Sequence, residues 1–232
     1  MKALFCLLVS SLFILTLSSC KIETTNKVIV EKAISESQPK VNKKHIIECD
    51  TAFINNSRFI ACQNNDLEIF ILNGNNDTIY KNNEAPNKFE FIDFNEDGYQ
   101  DMLLSYIGNY SSFDLALFDK DTNTLKNVEG FLNYPDAIRI KNTKYYYSYS
   151  RAGCGDSNWF SHLFYIENYK AYAIGSIQGI GCEHEEKNGI FIYKLKNEKE
   201  ELIKSISRKP GYYEDKWKFI ENYWNKNYHL FE

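Results

Sequence analysis

Asp93, Asn95, Asp97 and Asp101 place oxygen-bearing side chains at positions 1, 3, 5 and 9 of the stretch Asp93-Phe94-Asn95-Glu96-Asp97-Gly98-Tyr99-Gln100-Asp101, with Gly98 at position 6, where the backbone must turn sharply. Oxygen donors at that spacing are what a hard cation requires, and calcium is the expected ion. Position 12 is Leu104, where a helix-loop-helix calcium site carries a bidentate Glu. The departure argues for a structural staple or a weak site and against a calcium sensor. An Asn/Asp/Gly turn with no metal is the plainer reading.

Four further cysteines carry the second chemistry. In the segment from Cys49 to Cys62, a two-residue turn at Asn55-Asn56 pairs Ile54 with Ser57, and the same register sets Cys49 opposite Cys62. Cys154 and Cys182 are equidistant from Asn168, and the runs 159–166 and 170–177 read as the arms of a hairpin turning there. Two local bridges, Cys49–Cys62 and Cys154–Cys182, are expected from these registers; two other connectivities and free thiols remain possible on sequence alone. No Cys-x-x-Cys spacing points to zinc.

Between two aromatic runs lies Ser150-Arg151-Ala152-Gly153-Cys154-Gly155-Asp156-Ser157-Asn158-Trp159. It is glycine-rich yet pinned by the expected Cys154 bridge, and it combines Arg151 with Trp159, residue types enriched at binding hot spots. The bridge brings the segment ending at His184 beside it, so Asp156 or Glu183 is the expected acidic contact with a partner. An ordinary long hairpin loop would have the same composition. The four histidines, His45, His162, His184 and His229, are scattered and fall in no recognisable nucleophile or metal motif. An enzyme is therefore not expected.

The elements that must position these groups read as strands. Residues 67–72, 89–92, 101–106, 113–118, 137–140, 145–149, 190–195 and 201–206 are β-branched or aromatic runs separated by Asn, Asp and Gly clusters. Closely spaced short strands argue for an all-β sandwich, barrel or propeller. Only residues 215–226 show helical periodicity, with Trp217, Ile220, Tyr223 and Trp224 on one face. The 16 Phe and 17 Tyr are read as strand filler rather than a binding platform.

Residues 1–19 have Lys2 as a minimal basic region and an apolar stretch from Leu4 to Leu17, a secretory pattern. The ending Leu17-Ser18-Ser19-Cys20 resembles the lipobox of bacterial lipoproteins, which implies that Cys20 is acylated and anchors the chain to a membrane. Lys21 in place of Asp implies the outer membrane, with the domain facing the periplasm or the cell surface. Residues 20–43 are polar enough to serve as a tether, leaving 44–232 as one domain. Cleavage after Ser19 takes Lys2 from the 27 basic side chains, leaving 26 against 31 acidic, a net charge of −5. No basic patch appears, and a nucleic-acid partner is not expected.

The run from Phe91 to Leu104 resembles the loops of FG-GAP and related β-propeller repeats, in which a cation joins the end of one strand to the start of the next. The resemblance implies side-chain ligands from Asp93, Asn95, Asp97 and Asp101 and a backbone carbonyl from Tyr99. With a signal peptide, one such loop, and a Tyr-rich strand followed by Ser150-Arg151-Ala152-Gly153 and a hairpin, the domain resembles periplasmic β-propeller-like inhibitors of lysozyme-like effectors. That resemblance implies a β-propeller-like fold with bound calcium, and a binding protein that blocks a peptidoglycan-cleaving enzyme. The alternative is a calcium-stabilised surface adhesion module that recognises glycan or protein.

Overall fold

A computed structural model describes residues 45–184, 187–196, 199–207 and 216–232. The signal sequence, Cys20 and the tether lie outside the described residues. Nearly all regular structure is antiparallel β, in three sheets, with one helix near the C-terminus.

The first sheet contains β1 (Ile46–Ile54), β2 (Ser57–Asn64), β3 (Ile69–Leu72) and β4 (Thr78–Asn82) in sequence order. Asn55 and Asn56 both take positive φ, 50° and 60°, the conformation a two-residue hairpin turn demands and Asn tolerates. This turn fixes the register Ile54↔Ser57 and, five pairs on, Cys49↔Cys62. The disulfide forms there with a Cα separation of 4.1 Å, that of a narrow cross-strand pair.

The second sheet contains β5 (Lys88–Ile92), β6 (Asp101–Ile107), β7 (Ser111–Asp119) and β8 (Thr124–Asn127), again in order. Both of its faces are buried. Because successive strand residues point to opposite sides, Met102, Leu104, Ala116 and Phe118 join Ile54, Phe59, Ile69 and Ile71 of the first sheet in one core. Leu115 and Leu117 turn the other way, to Phe131, Tyr146 and Phe164.

The third sheet has seven strands: β9 (Ile138–Arg139), β10 (Tyr145–Tyr147), β11 (Ser150–Arg151), β12 (Trp159–Glu167), β13 (Lys170–Ile180), β14 (Gly189–Lys196) and β15 (Lys199–Ser207). Its hairpin from β12 to β13 turns at Asn168 and Tyr169, both at positive φ, pairing Glu167 with Lys170. A bulge shifts the register between Leu163 and Phe164. Tyr146 and Phe164 face the second sheet, whereas Tyr145, Tyr147, Leu163 and Ile177 face helix α1 (Lys216–Asn227).

The helix buries Ile220 and Trp224, four residues apart and hence on one face. It crosses β13 at Gly175, where a Cβ would stand 2.5 Å from Phe231 Cδ1 and 3.2 Å from Trp224 Cη2. Trp224 Nε1 donates to Ser161 Oγ at 2.8 Å, and Lys194 Nζ donates to the carbonyls of Leu230 and Glu232. Trp217, expected on the buried face, is instead 51% exposed. It sits one turn before Ile220, against the Tyr149 ring and under the Lys216 ammonium. Among the described residues no helix is long and apolar enough to cross a membrane.

Candidate calcium loop and contact rim

The candidate calcium loop joins β5 to β6, so its ends are fixed by the pair Ile92↔Asp101. Between them the backbone enters the left-handed region at Glu96 (φ 56°) and Gly98 (φ 90°). The carboxylates organise the turn by accepting backbone N–H groups. Asp93 Oδ1 accepts from Asp97 at 3.0 Å and Oδ2 from Gly98 at 3.1 Å; Asp97 Oδ1 accepts from Tyr99 at 2.9 Å. Asn95 Nδ2 donates to Asp97 Oδ2 at 2.9 Å. Arg139 of β9 reaches across from the third sheet, donating through Nη1 to the Asn95 carbonyl and pairing with Glu96 at 3.2 Å.

Asp101 differs from the others in being fully buried. Its oxygens accept N–H groups from Phe118 at 2.8 Å and Phe94 at 3.0 Å. Burial nevertheless pushes its carboxyl up to about 7, against the lowering effect of those hydrogen bonds, and the Asp97 charge pushes the same way. Among the described residues no ion pair reaches Asp93, Asp97 or Asp101; the nearby Arg139 is spent on Glu96 and Asn95.

The donor set is all oxygen, its net charge is negative, and its most buried member has no counter-charge, all of which fits a hard divalent cation. Asp93, Asn95, Asp97 and Asp101 would hold it with the Tyr99 carbonyl. Among the described residues no three His, Cys, Asp or Glu side chains form a ready-made metal cluster; as folded, the loop's carboxylate oxygens are directed to backbone N–H groups and, for Asp97 Oδ2, to the Asn95 amide. Asn95, Asp97 and Tyr99 line an open cleft of about 390 Å³ shared with Asp119 and Tyr169, which gives ions access to the loop.

The loop after Tyr149 is fastened at several points. Cys154 is bridged to Cys182 with a Cα separation of 6.2 Å, the expected partner, although the two-residue turn and the bulge shift the strand register and both cysteines lie outside the ladder. The Gly181 N–H donates to Asn158 Oδ1 at 2.8 Å, and the Ala152 N–H to the Asn158 carbonyl at 2.8 Å. Asp156, an expected partner contact, is instead the hub of an internal clamp. Its Oδ1 accepts from the Tyr149 hydroxyl and pairs with Arg151 Nε at 3.4 Å, while Oδ2 pairs with Lys216 Nζ at the start of α1. Burial pushes the Asp156 carboxyl up, but the Lys216 and Tyr149 hydrogen bonds and the Lys216 and Arg151 charges outweigh it and hold it below the usual range. Burial and then the Asp156 carboxylate push the Tyr149 phenol up, which keeps it a donor.

Trp159 requires a correction as a surface contact. It is 1% exposed, and Gly179 across the strand pair lies flat against its ring, leaving no space even for a Cβ. Its aromatic bulk fills the core between β12 and the helix side of the sheet. Arg151 remains at the surface, with its side chain 54% exposed. Glu183 is exposed too, its backbone held by Asn188: the Glu183 N–H donates to Asn188 Oδ1 at 3.0 Å, and Asn188 Nδ2 to the Glu183 carbonyl at 3.1 Å. The disulfide thus joins the segment that follows Arg151, at the end of β11, to the segment that carries Glu183. Arg139 and Lys216 could not be singled out in the sequence, because each acts on a segment more than 40 residues away.

No family model matches this sequence, and no curated protein matches it. One solved chain, described as the structure of a Xanthomonas type IV secretion system related protein, is similar at 14% identity with a TM-score of 0.44. The similarity covers 72% of this chain and 97% of that one.

Proposed function

We propose that the chain is an outer-membrane lipoprotein, anchored through Cys20, that binds and inhibits a peptidoglycan-cleaving, lysozyme-like enzyme, with a structural calcium ion held by the Asp93–Asp101 loop. Two disulfides suit an oxidising compartment outside the cytoplasm. The observation that supports binding most is the contact rim: two segments, bridged by Cys154–Cys182 and clamped by Asp156 to the helix, carry exposed Arg151 and Glu183. Ordering such segments in advance lowers the entropic cost of docking into a cleft.

A glycan-binding adhesion module is the second reading, favoured by one feature. Tyr172 and Tyr165, exposed and half-buried, form a short row with ring centroids 5.4 Å apart, and Lys144 lies 4.7 Å from the Tyr165 ring. Such a row offers stacking surface beside a cation.

The two readings separate in a cell-wall turbidity assay with c-type, g-type and i-type lysozymes in calcium. Protection of the walls by the chain supports the inhibitor; binding to isolated glycan without protection supports the adhesion module. Failure to slow any of the three enzymes counts against the inhibitor.

A further inference from the structure

The chain has three tryptophans, and two of them, Trp159 and Trp224, are buried to within 1%. Trp217 stands half in solvent at the second residue of α1. A single exposed apolar side chain is unremarkable in itself. What sets this one apart is how firmly it is held and what stands beside it. Its ring lies 3.8 Å, centroid to centroid, from Tyr149. The ammonium of the preceding Lys216 stacks on both rings, 5.4 Å from Tyr149 and 5.6 Å from Trp217, while it is locked onto Asp156. Asp156 in turn holds Arg151. One carboxylate therefore fixes an exposed indole and an exposed guanidinium relative to one another, although they come from residues 66 positions apart.

Trp and Arg are the side chains that most often carry binding energy. A pair immobilised before contact loses little entropy on docking. The charge of Lys216 is directed inward, and Asp136 is a further carboxylate in the field of Arg151. The outward chemistry of the pair is thus a flat apolar ring next to a planar donor suited to carboxylates. A glycosidase cleft presents the complement: apolar walls that take sugar rings and two carboxylates that flank the scissile bond.

The geometry points to Trp217 and Arg151 as a single contact surface that enters the carboxylate-bearing cleft of a lysozyme-like glycosidase, the indole occupying a sugar subsite and the guanidinium meeting the carboxylates. This rests on the inhibitor reading of the chain.

The test uses the full-length chain labelled with 5-fluorotryptophan, which gives three fluorine resonances, that of Trp217 assigned with Trp217→Phe. Whichever of the c-, g- and i-type lysozymes the wild type inhibits is added. The Trp217 resonance is expected to shift while those of Trp159 and Trp224 stay. Trp217→Ala and Arg151→Ala are each expected to raise the inhibition constant about tenfold or more, with Trp217→Phe retaining most of the potency. Because Trp217 is half in solvent and packs on Tyr149, its loss should lower the melting temperature only modestly, and Trp217→Phe, which keeps a ring there, less still. Inhibition constants within twofold of wild type would overturn this contact surface and leave the inhibitor reading standing. Concentration-dependent shifts of the Trp217 resonance without added enzyme would overturn it in favour of self-association. Absence of inhibition by the wild type would overturn both.

Discussion

Asp156 illustrates how much one side chain can organise when its oxygens are fully used. It accepts from Tyr149, Arg151 and Lys216, so a carboxylate that burial would penalise is held ionised, and a lysine only 7% exposed has an ion-pair partner. His162 shows the opposite case. Its Nδ1 is buried without a hydrogen-bond partner, beside the Tyr134 ring and across the strand pair from Ser176. Burial lowers its pKa below 6.5, so the folded chain holds it neutral while the unfolded chain takes up a proton first. More protons bound by the unfolded state means that stability falls as pH falls. The loss begins near 6.5 and ends at the folded value, a window separate from that of Asp156, whose depressed carboxyl stabilises the fold above 3.8 and loses that contribution only below it. From pH 7.5 down to 5 the raised Asp101 carboxyl acts in the opposite direction, so the check is a difference: the melting temperature of His162→Phe relative to that of wild type should rise as the pH falls. Equal slopes would show that His162 is charged or solvated in the folded chain.

At the scale of the element, the β5–β6 loop connects two strands of the central sheet, and its last residue, Asp101, accepts the N–H of Phe118 on β7. A cation there would tie three strands together and relieve the buried charge. Melting temperature should rise with calcium concentration in wild type and be insensitive to it in Asp97→Ala. At calcium a hundredfold above its dissociation constant the gain is about 2.7 kcal/mol, several degrees for a domain of this size. Identical melting in calcium and EDTA would reduce the loop to a turn. The loop, both hairpins and most strands were legible in the sequence, because period-2 patterning and Asn-rich turns are local signals. Strands β4 and β8, with the sequences TIYKN and TLKN, were not among the expected strands; short and polar, they pair at sheet edges where little burial is demanded. The exchange between the two tryptophans was equally hidden. Trp159 alternates into the core and Trp217 lies half in solvent against Tyr149, outcomes set by which element lies opposite rather than by local pattern.

Across the described residues from 45 to 232, the sheets and helix stack in chain order, with one core between the first and second sheets, one between the second and third, and one under the helix. Two disulfides, the Asp156 clamp and the proposed ion fasten this stack at separate points. In this account rigidity serves the contact rim, which lies on the third sheet and the helix, away from the calcium loop between β5 and β6. The proposed ion would stabilise the fold and take no part in contact. The most direct test is lysozyme inhibition by the full-length chain, titrated in calcium and again in EDTA at a temperature where circular dichroism shows both samples folded. The account predicts inhibition with the same constant in both. Inhibition in neither, or inhibition in calcium alone, would contradict it.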